Sequence, residues 1–499
     1  NLKDLELGSL LIINLDTFNS VNYKKANYEF NPLESDYLNN FKLIKININS
    51  ILKDGLKDLT LGNKDIERSK NFFCLGILYW LYSINIEKQK LWIKEKFKND
   101  ESLLKINMSS FLSGFNYAEN NELFNEYYYV NKFDFEKGIY RSVTGNTAIS
   151  LGILYLKKIS GFNIFYSGYP ITPASDILHE LSKYNSEFLT VFQAEDEISA
   201  ICSCIGSSLT GNISFTGTSG PGMSLKTESI NLAFIMETPL VIIDIQRAGP
   251  STGMPTKVEQ SDVLFAVYGR PGDSALPVIS ASSPVDCFYS IIEAARISIK
   301  FMTPVIFLSD SYIANTSELL NLSNIKNFNF DFDFLKEHMN NKNQEFSKRN
   351  ANLSKKWFFF GSENNEYRTG GLEKDEKTGV ISTNPDNHET LTKIRSEKIK
   401  QVSKHIIKPT IYGCQKGELL IISFGSSFGS TRQAVEILVK GGFLIGHLNI
   451  KWLYPLHDSI FNYFSNFRNV IILELNNGQF SKILKSFYSG NIIEYNKIQ

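Results

Sequence analysis

The sequence predicts an α/β protein whose centre is a doubly wound parallel sheet. Two observations predict it. From about Phe162 to Asp310, short β-rich runs alternate with helical patterns, the signature of a parallel sheet with crossover helices. Within that stretch, four polar or glycine-rich segments (169–173, 193–197, 216–222 and 247–257) each follow a strand-like run, and ligands of such sheets bind outside the carboxyl ends of the strands. At 499 residues and 42% hydrophobic, with 37 Phe and 23 Tyr, the chain is long enough to bury several cores, and two to four domains are expected.

The elements follow in order. Residues 1 to about 130 hold strand-like "LLIINLD" and "FKLIKININSI", then helical "SKNFFCLGILYWLYSI" and "KLWIKEKFK". In the central stretch "FNIFYSG" precedes a helix expected from Pro173. "LTVFQ" precedes "EDEISAICSCIGSSL", where Ile198, Ile201, Ile205 and Leu209 share one face. "NISFTGT", "PLVIIDIQ", "PVIS" and "PVIFLSD" supply the remaining strands. Residues 316–410 lose the alternation and are expected to be a long connection wrapping the neighbouring domains, since a structureless loop of this length is rarely free in a compact protein. A second α/β unit follows, with strands in "ELLIISFG", "LIGHLNI" and "NVIILEL".

Several function classes fall away on composition. Lys+Arg and Asp+Glu are both 52, so no global field favours nucleic acid or an anionic membrane. Five cysteines fit no zinc or iron-sulfur spacing, and a reduced, cytoplasmic chain is expected. The tightest apolar run, "AFIMETPLVIIDI", is interrupted by Glu237 and is too short to span a bilayer. No signal peptide heads the chain, and its start at Asn1 suggests that upstream sequence is missing.

The four segments carry the chemistry. In "SGYPITPASDI", Thr172 and Pro173 make a good N-cap and first helical residue, while Pro170 stiffens the turn; capping and anion binding are both open readings. In "FQAEDE", Glu195 can simply complement a helix dipole, an effect worth about 0.3–1 kcal/mol. Three adjacent acids cannot all share that role, so at least one is expected in the sheet-edge crevice. "TGTSGPG" lets another backbone or a flat ligand approach closely. "QRAGPSTGMPTK" brings Arg247, Thr252, Thr256 and Lys257 into one stiffened loop, and arginine pairs bidentately with carboxylates. The six histidines show no pairing with a nucleophile, Cys202 and Cys204 read as core packing, "SFGSSFGS" lacks the spacing of a nucleotide fingerprint, and "KDEKTG" reads as a solvated turn.

Taken together, "GNTAISLG", "YPITPASDIL", "FQAEDEISA", "TGTSGPGMSLKTE", "QRAGPSTGMPTK" and "EQSD" resemble the alpha subunit of 2-oxoacid:ferredoxin oxidoreductases, most closely the 2-oxoglutarate type with a gamma-type domain fused ahead of the alpha part. The resemblance continues through "GGLEK", "NPDNHE", "SFGSS" and "ELNNGQ" and covers essentially the whole chain. It implies a gamma-type α/β domain over 1–130, incomplete at its start, and a pyrimidine-binding thiamine diphosphate domain over 140–315. A wrapping connector over 316–410 and a transketolase C-terminal-like α/β domain over 411–499 complete the expected order.

The same resemblance implies oxidative decarboxylation of 2-oxoglutarate with CoA to succinyl-CoA, CO2 and reduced ferredoxin. Pyruvate or branched-chain 2-oxoacids are alternative substrates, and a non-catalytic scaffold is the alternative outside the class. Thiamine diphosphate with Mg2+ would be shared with a beta subunit that also carries a 4Fe-4S cluster, in a hetero-oligomer with no nucleic acid and no membrane as partner. By position, Glu195 matches the carboxylate facing N1′ of the aminopyrimidine, where it promotes the proton shift that activates the cofactor. Thr172, Arg247 and Thr256 match residues that hold the substrate's 1-carboxylate, and Lys257 is expected to meet the distal carboxylate of 2-oxoglutarate. Tyr169, Pro170, Ile171, Thr218, Ser219 and Gly220, with Glu195, are the implied cofactor contacts. The chain departs from the pattern in lacking the opening glycine-rich part of the gamma-type domain, in a loosely composed connector, and in stopping soon after its last strand.

Overall fold

A computed structural model describes residues 5–57, 63–124, 128–131, 134–325, 332–334, 348–361 and 368–498. The chain forms two compact units, Asn1–Glu136 and Lys137–Gln499. In the first, β1 (Leu10–Asn14) pairs in parallel with β2 (Lys42–Ile46). Helices follow at Ile48–Gly55, Asn63–Leu81, Glu87–Lys96 and Glu101–Asn120, and Ile46, Leu52, Phe73, Ile77 and Ile106 fill the core between them.

The second unit opens with β3 (Tyr140–Thr144) and continues through β4 (Ile164–Gly168), β5 (Leu189–Gln193), β6 (Ile213–Thr218), β7 (Leu240–Gln246), β8 (Val278–Ser280), β9 (Pro304–Asp310) and β10 (Ser317–Asn321). Its later strands are β11 (Ile411–Gly413), β12 (Gly417–Ser423), β13 (Ile445–Asn449), β14 (Trp452–Tyr454), β15 (Phe467–Glu474) and β16 (Ile492–Asn496). The central sheet runs β14-β8-β9-β7-β6-β4-β5 and is parallel except for β14. Strands β6, β7 and β9 are buried along their whole length, as expected where helices cover both faces.

From β4 the chain goes to β5 on one side and then crosses to β6 on the other, so the strand order reverses at the β4/β6 junction. The pairs Gly168↔Gly217, Thr218↔Asp244 and Gln246↔Asp310 place the carboxyl ends of β4, β6, β7 and β9 at nearly one level.

A second sheet, β11-β13-β12-β15-β16, is built from the last ninety or so residues, yet β14 from the same segment leaves it to pair with β8. One apolar cluster joins the two sheets through Leu276, Val278, Leu308, Leu420, Phe424, Leu453 and Phe480. A buried polar chain runs alongside. His447 meets Ser423 Oγ at 2.7 Å, and its Nδ1 accepts from Arg432 Nε at 3.2 Å. The sequence showed no histidine beside a nucleophile because these partners lie 24 residues apart on neighbouring strands. With Nδ1 accepting, the imidazole proton sits on Nε2 and is donated to Ser423, so His447 cannot serve Ser423 as a base. Burial, aided by Arg432, pushes His447 down to about 4.

The region expected to be a wrapping connector holds β10 and a helix, Pro385–Gln401, started by Asn384, whose side chain accepts from Asp386 and Asn387 N–H groups. The segment is fixed to the central domain by Glu237, which follows the helix Thr227–Ile235 and is 4% exposed. Arg349 donates to Glu237 at 2.7 and 2.8 Å and to Glu376 at 2.6 and 3.1 Å; Lys398 donates to Glu237 at 2.7 Å. Burial alone would raise the Glu237 carboxyl, but Lys398 and Arg349 hold it well below the usual carboxylate range. The residue that interrupts the tightest apolar run is therefore the anchor of the connector.

Breaking a buried ion pair from one side strands its partner charges. Glu237→Gln is expected to cost about 3–5 kcal/mol in urea unfolding. An unchanged midpoint and slope would show that the network does not hold the connector.

Candidate active site at the switch point of the central sheet

After β4 the chain turns through Tyr169, Pro170, Ile171 and Thr172, and the Thr172–Pro173 peptide is cis. The helix begins only at Ser175, with Ala174 as its cap and no side-chain capping bond. The helix therefore starts two residues later than the expected Pro173, and Thr172 is not its N-cap, which removes one of the two readings the sequence leaves open. The Thr172 carbonyl instead accepts from Arg247 Nη1 at 2.5 Å, and its hydroxyl has no partner among the described residues. Asn146, buried in the helix Gly145–Ser160, donates to Pro173 O at 2.9 Å and fixes the turn from below. That bond gives the "GNTAISLG" segment its place in the site.

Glu195 lies between β5 and the helix Glu197–Leu209, linked to the first loop by Ala194 N–H donating to Gly168 O at 3.0 Å. The three acids divide as follows. Asp196 is the N-cap, accepting from Ser199 N–H at 2.7 Å; Glu197 is buried; Glu195 is exposed and without a partner among the described residues. The buried face of this helix is Ala200, Ile201, Cys204 and Ile205, so Ile198 is displaced to the surface at 50% exposure, and of the two cysteines only Cys204 packs in the core.

The loop after β6 is close-packed from beneath. A Cβ on Gly217 would lie 2.2 Å from the Tyr166 hydroxyl, so only glycine lets that ring pass under β6. Thr218 and Ser219 are fully buried, and Ser219 Oγ has no hydrogen-bond partner among the described residues. Below them Lys226 donates to Glu197 O at 2.8 Å and Thr216 Oγ1 at 3.1 Å, and burial pushes it down to about 8. The close approach that "TGTSGPG" predicts is made here by the protein's own side chains.

Arg247 leaves the end of β7 with 6% exposure and an Nε that has no partner among the described residues. Its loop closes on itself: Ala248 N–H donates to Lys257 O, Met254 N–H to Ala248 O, and Gly253 sits at φ 52° with the Ala248 carbonyl 2.0 Å from where a Cβ would be. Thr256 and Lys257 present exposed side chains that are unpartnered among the described residues. The loop is fastened by residues the sequence reading assigned no role. Glu259 accepts from Gly249 N–H and Ser261 Oγ, while Gln260 exchanges bonds with Leu475 and donates to Phe424 O at 2.9 Å. Asn476 donates to Gln260 O and Gln479 to Ser261 O, so "EQSD" and "ELNNGQ" lock one sheet's loop to the other.

Two further acids lie under this loop. Asp244 is fully buried and Asp262 half-buried with its Oδ2 enclosed, and burial, followed by the neighbouring carboxyl for Asp244 and by Glu259 for Asp262, raises both above the ordinary aspartate range. They escaped the sequence reading because one is a mid-strand residue and the other begins a short helix.

The switch point therefore gathers Tyr169, Pro170, Thr172, Glu195, Ser219 and Arg247 from the ends of four strands, β4, β5, β6 and β7, with Thr256 and Lys257 further along the loop after β7. The orphaned Ser219 Oγ and Arg247 Nε are donors suited to an anionic or polar ligand, and exposed Glu195 offers a carboxylate acceptor, so the residues present fit a polar cofactor with both donor and acceptor atoms, such as an aminopyrimidine. Among the described residues, no group of three or more His, Cys, Asp or Glu could hold a metal, and no helix is long and apolar enough to cross a membrane.

A doubly wound domain with this edge defines a ligand-binding α/β protein, and residues 160–378 match the thiamine-diphosphate-binding family of pyruvate flavodoxin/ferredoxin oxidoreductases. The chain is 36% identical, over its whole length and 76% of the relative's, to the 2-oxoglutarate oxidoreductase subunit KorA of Mycobacterium tuberculosis. It is 32% identical over 68% of its length, and 89% of the relative's, to the 2-oxoglutarate synthase subunit KorA of Archaeoglobus fulgidus. The solved 2-oxoglutarate:ferredoxin oxidoreductase of Magnetococcus marinus, with 2-oxoglutarate, coenzyme A and succinyl-CoA bound, superposes with a TM-score of 0.81 at 26% identity, covering 98% of this chain and 85% of that one. The chain belongs to the KorA family of 2-oxoacid oxidoreductase subunits.

The raised carboxyls have a stability consequence of definite sign. The folded state holds protons that the unfolded state releases near the ordinary aspartate value of about 3.9, so their contribution is fully present at low pH and is lost as pH rises through the raised folded values. Asp244→Asn is expected to fall less in melting temperature than the parent between pH 4 and 8; parallel curves would contradict the buried proton.

Proposed function

We propose that this chain is the alpha subunit of a 2-oxoglutarate:ferredoxin oxidoreductase. It joins 2-oxoglutarate and CoA into succinyl-CoA with loss of CO2, and the electron pair left by decarboxylation passes to ferredoxin. The observation that carries the reading is the convergence of Arg247, Thr172 and Glu195 on the switch point of a domain in the thiamine-diphosphate-binding family. In this proposal a beta subunit completes the site and supplies Mg2+ and a 4Fe-4S cluster, and the assembly works in the cytoplasm, in keeping with five unpaired cysteines.

Bound thiamine diphosphate supplies the centre that stabilises the carbanion left when the C1–C2 bond breaks. Glu195 holds a proton at N1′ of the aminopyrimidine, a role suited to a carboxylate at the edge of β5 with no competing partner. Arg247, bonded to Thr172 O, presents its guanidinium to the substrate's 1-carboxylate, with the Thr172 and Thr256 hydroxyls as additional donors. Tyr169, Pro170 and Ile171 on one side and Thr218, Ser219 and Gly220 on the other form the walls against the cofactor. Lys257 meets the distal carboxylate and so favours 2-oxoglutarate over pyruvate or branched-chain 2-oxoacids.

The test is co-expression with the beta partner under anaerobic conditions and measurement of thiamine- and CoA-dependent dye reduction with 2-oxoglutarate, pyruvate and 2-oxoisovalerate. Glu195→Gln is expected to lower turnover on 2-oxoglutarate about 100-fold or more. Activity on another 2-oxoacid would change the substrate and keep the mechanism, whereas no turnover on any, with cofactors loaded, would leave a scaffold. In the same assay Lys257→Ala is expected to depress 2-oxoglutarate relative to pyruvate by about tenfold, and unchanged relative rates would remove Lys257 from the site.

A further inference from the structure

The proposed chemistry makes no use of the acid pair below Arg247. Asp244, the fifth residue of β7, is fully buried and lies in register with Thr218, at the base of the turn that carries Ser219 and Gly220. Asp262 approaches the same turn: a Cβ on Gly220 would lie 2.9 Å from its Oδ2. Its backbone N–H donates to Gln246 Oε1 at 3.1 Å, which ties it to the strand end that carries Arg247. Both oxygens of Asp244 and Oδ2 of Asp262 are enclosed and have no hydrogen-bond partner among the described residues, and the two carboxyls are electrostatic neighbours. The charged groups facing the pair are Glu259, whose carboxylate already accepts from Gly249 N–H and Ser261 Oγ, and Arg247.

Two carboxyls in contact inside a protein cannot both ionise, so one proton stays between them and one negative charge remains. Arg247 is the cation facing that charge. Its only direct bond among the described residues goes to the neutral carbonyl of Thr172, and its Nε is unpartnered, so the guanidinium is a buried charge in need of a counter-charge.

We propose that Asp244 and Asp262 form an acid–carboxylate pair sharing one proton, whose single negative charge positions Arg247 for the 2-oxoacid carboxylate. Asp244, the more deeply buried, is the acid and Asp262 the carboxylate. The pair is a positioning device: it touches neither substrate nor cofactor and acts through the guanidinium. The inference rests on the reading of Arg247 as the carboxylate-binding residue.

Two measurements test the halves separately. Infrared difference spectra of the full chain at neutral pH, parent minus Asp244→Asn, are expected to show the carbonyl band of a buried un-ionised carboxylic acid; its absence overturns the shared proton whatever the enzyme's substrate. In the assembled enzyme, Asp262→Asn removes the charge and is expected to raise KM for the 2-oxoacid about tenfold, with kcat changed less, the loss of one charge-assisted interaction. The parent's KM should climb as acid protonates the pair, and Asp262→Asn should flatten that dependence, while Asp244→Asn keeps the charge and therefore keeps the dependence. A variant Asp262→Asn whose KM follows the parent's pH profile overturns the positioning role. An assembly that turns over no 2-oxoacid contradicts the proposed function instead, and the infrared band still decides the shared proton.

Discussion

The parallel pairing of β4 with β6 and of β6 with β7 is the constraint on which the candidate site depends. Because Gly168 faces Gly217, and Thr218 faces Asp244, three strands end at one level and deliver their loops to one crevice. The strand order reverses at β4/β6, so the crossovers on either side leave on opposite faces and no helix fills the gap at that point. Slipping β4 by one residue would turn Tyr166 away from its place under Gly217 and move Arg247's acceptor, the Thr172 carbonyl, out of reach.

The second sheet serves that same constraint. Gln260, fully buried, bonds to both Leu475 and Phe424, so the Arg247 loop is stretched between the carboxyl ends of β7 and β15. β14 then crosses into the central sheet and binds the two sheets into one unit. A loop held at both ends by buried hydrogen bonds loses little further entropy when it receives an anion, which suits a site that must distinguish geometry before chemistry begins. On the far side of the sheet, Glu237 with Arg349 and Lys398 holds the connector by charge, and the apolar cluster of Phe162, Trp357 and Phe359 holds it by ring stacking.

Much of this was legible in the sequence because parallel strands buried on both faces read as unbroken apolar runs and the loops after them as polar punctuation. The loop positions of Thr172, Glu195, Ser219 and Arg247 could be placed that way, and the family resemblance attached chemistry to them. What escaped depended on contacts between distant segments. Thr172 looked like a cap because Thr-Pro is a good capping pair locally, but the turn is dictated by Arg247 and by Asn146, seventy-five and twenty-six residues away. The helix at Pro385 had a local signal in Asn384 and Pro385 that was outweighed by its charged, asparagine-rich setting. Ser423 with His447, and Asp244 with Asp262, are pairings across strands or loops that no periodicity in either partner announces.

The most direct test of the central claim is the structure, by cryo-electron microscopy, of the chain assembled with its beta partner and loaded with thiamine diphosphate and 2-oxoglutarate. The account predicts the aminopyrimidine in the β4/β6 crevice with Glu195 at N1′ and the substrate's 1-carboxylate on Arg247. Density for the cofactor elsewhere on the chain, or a substrate carboxylate bound away from Arg247, would contradict it.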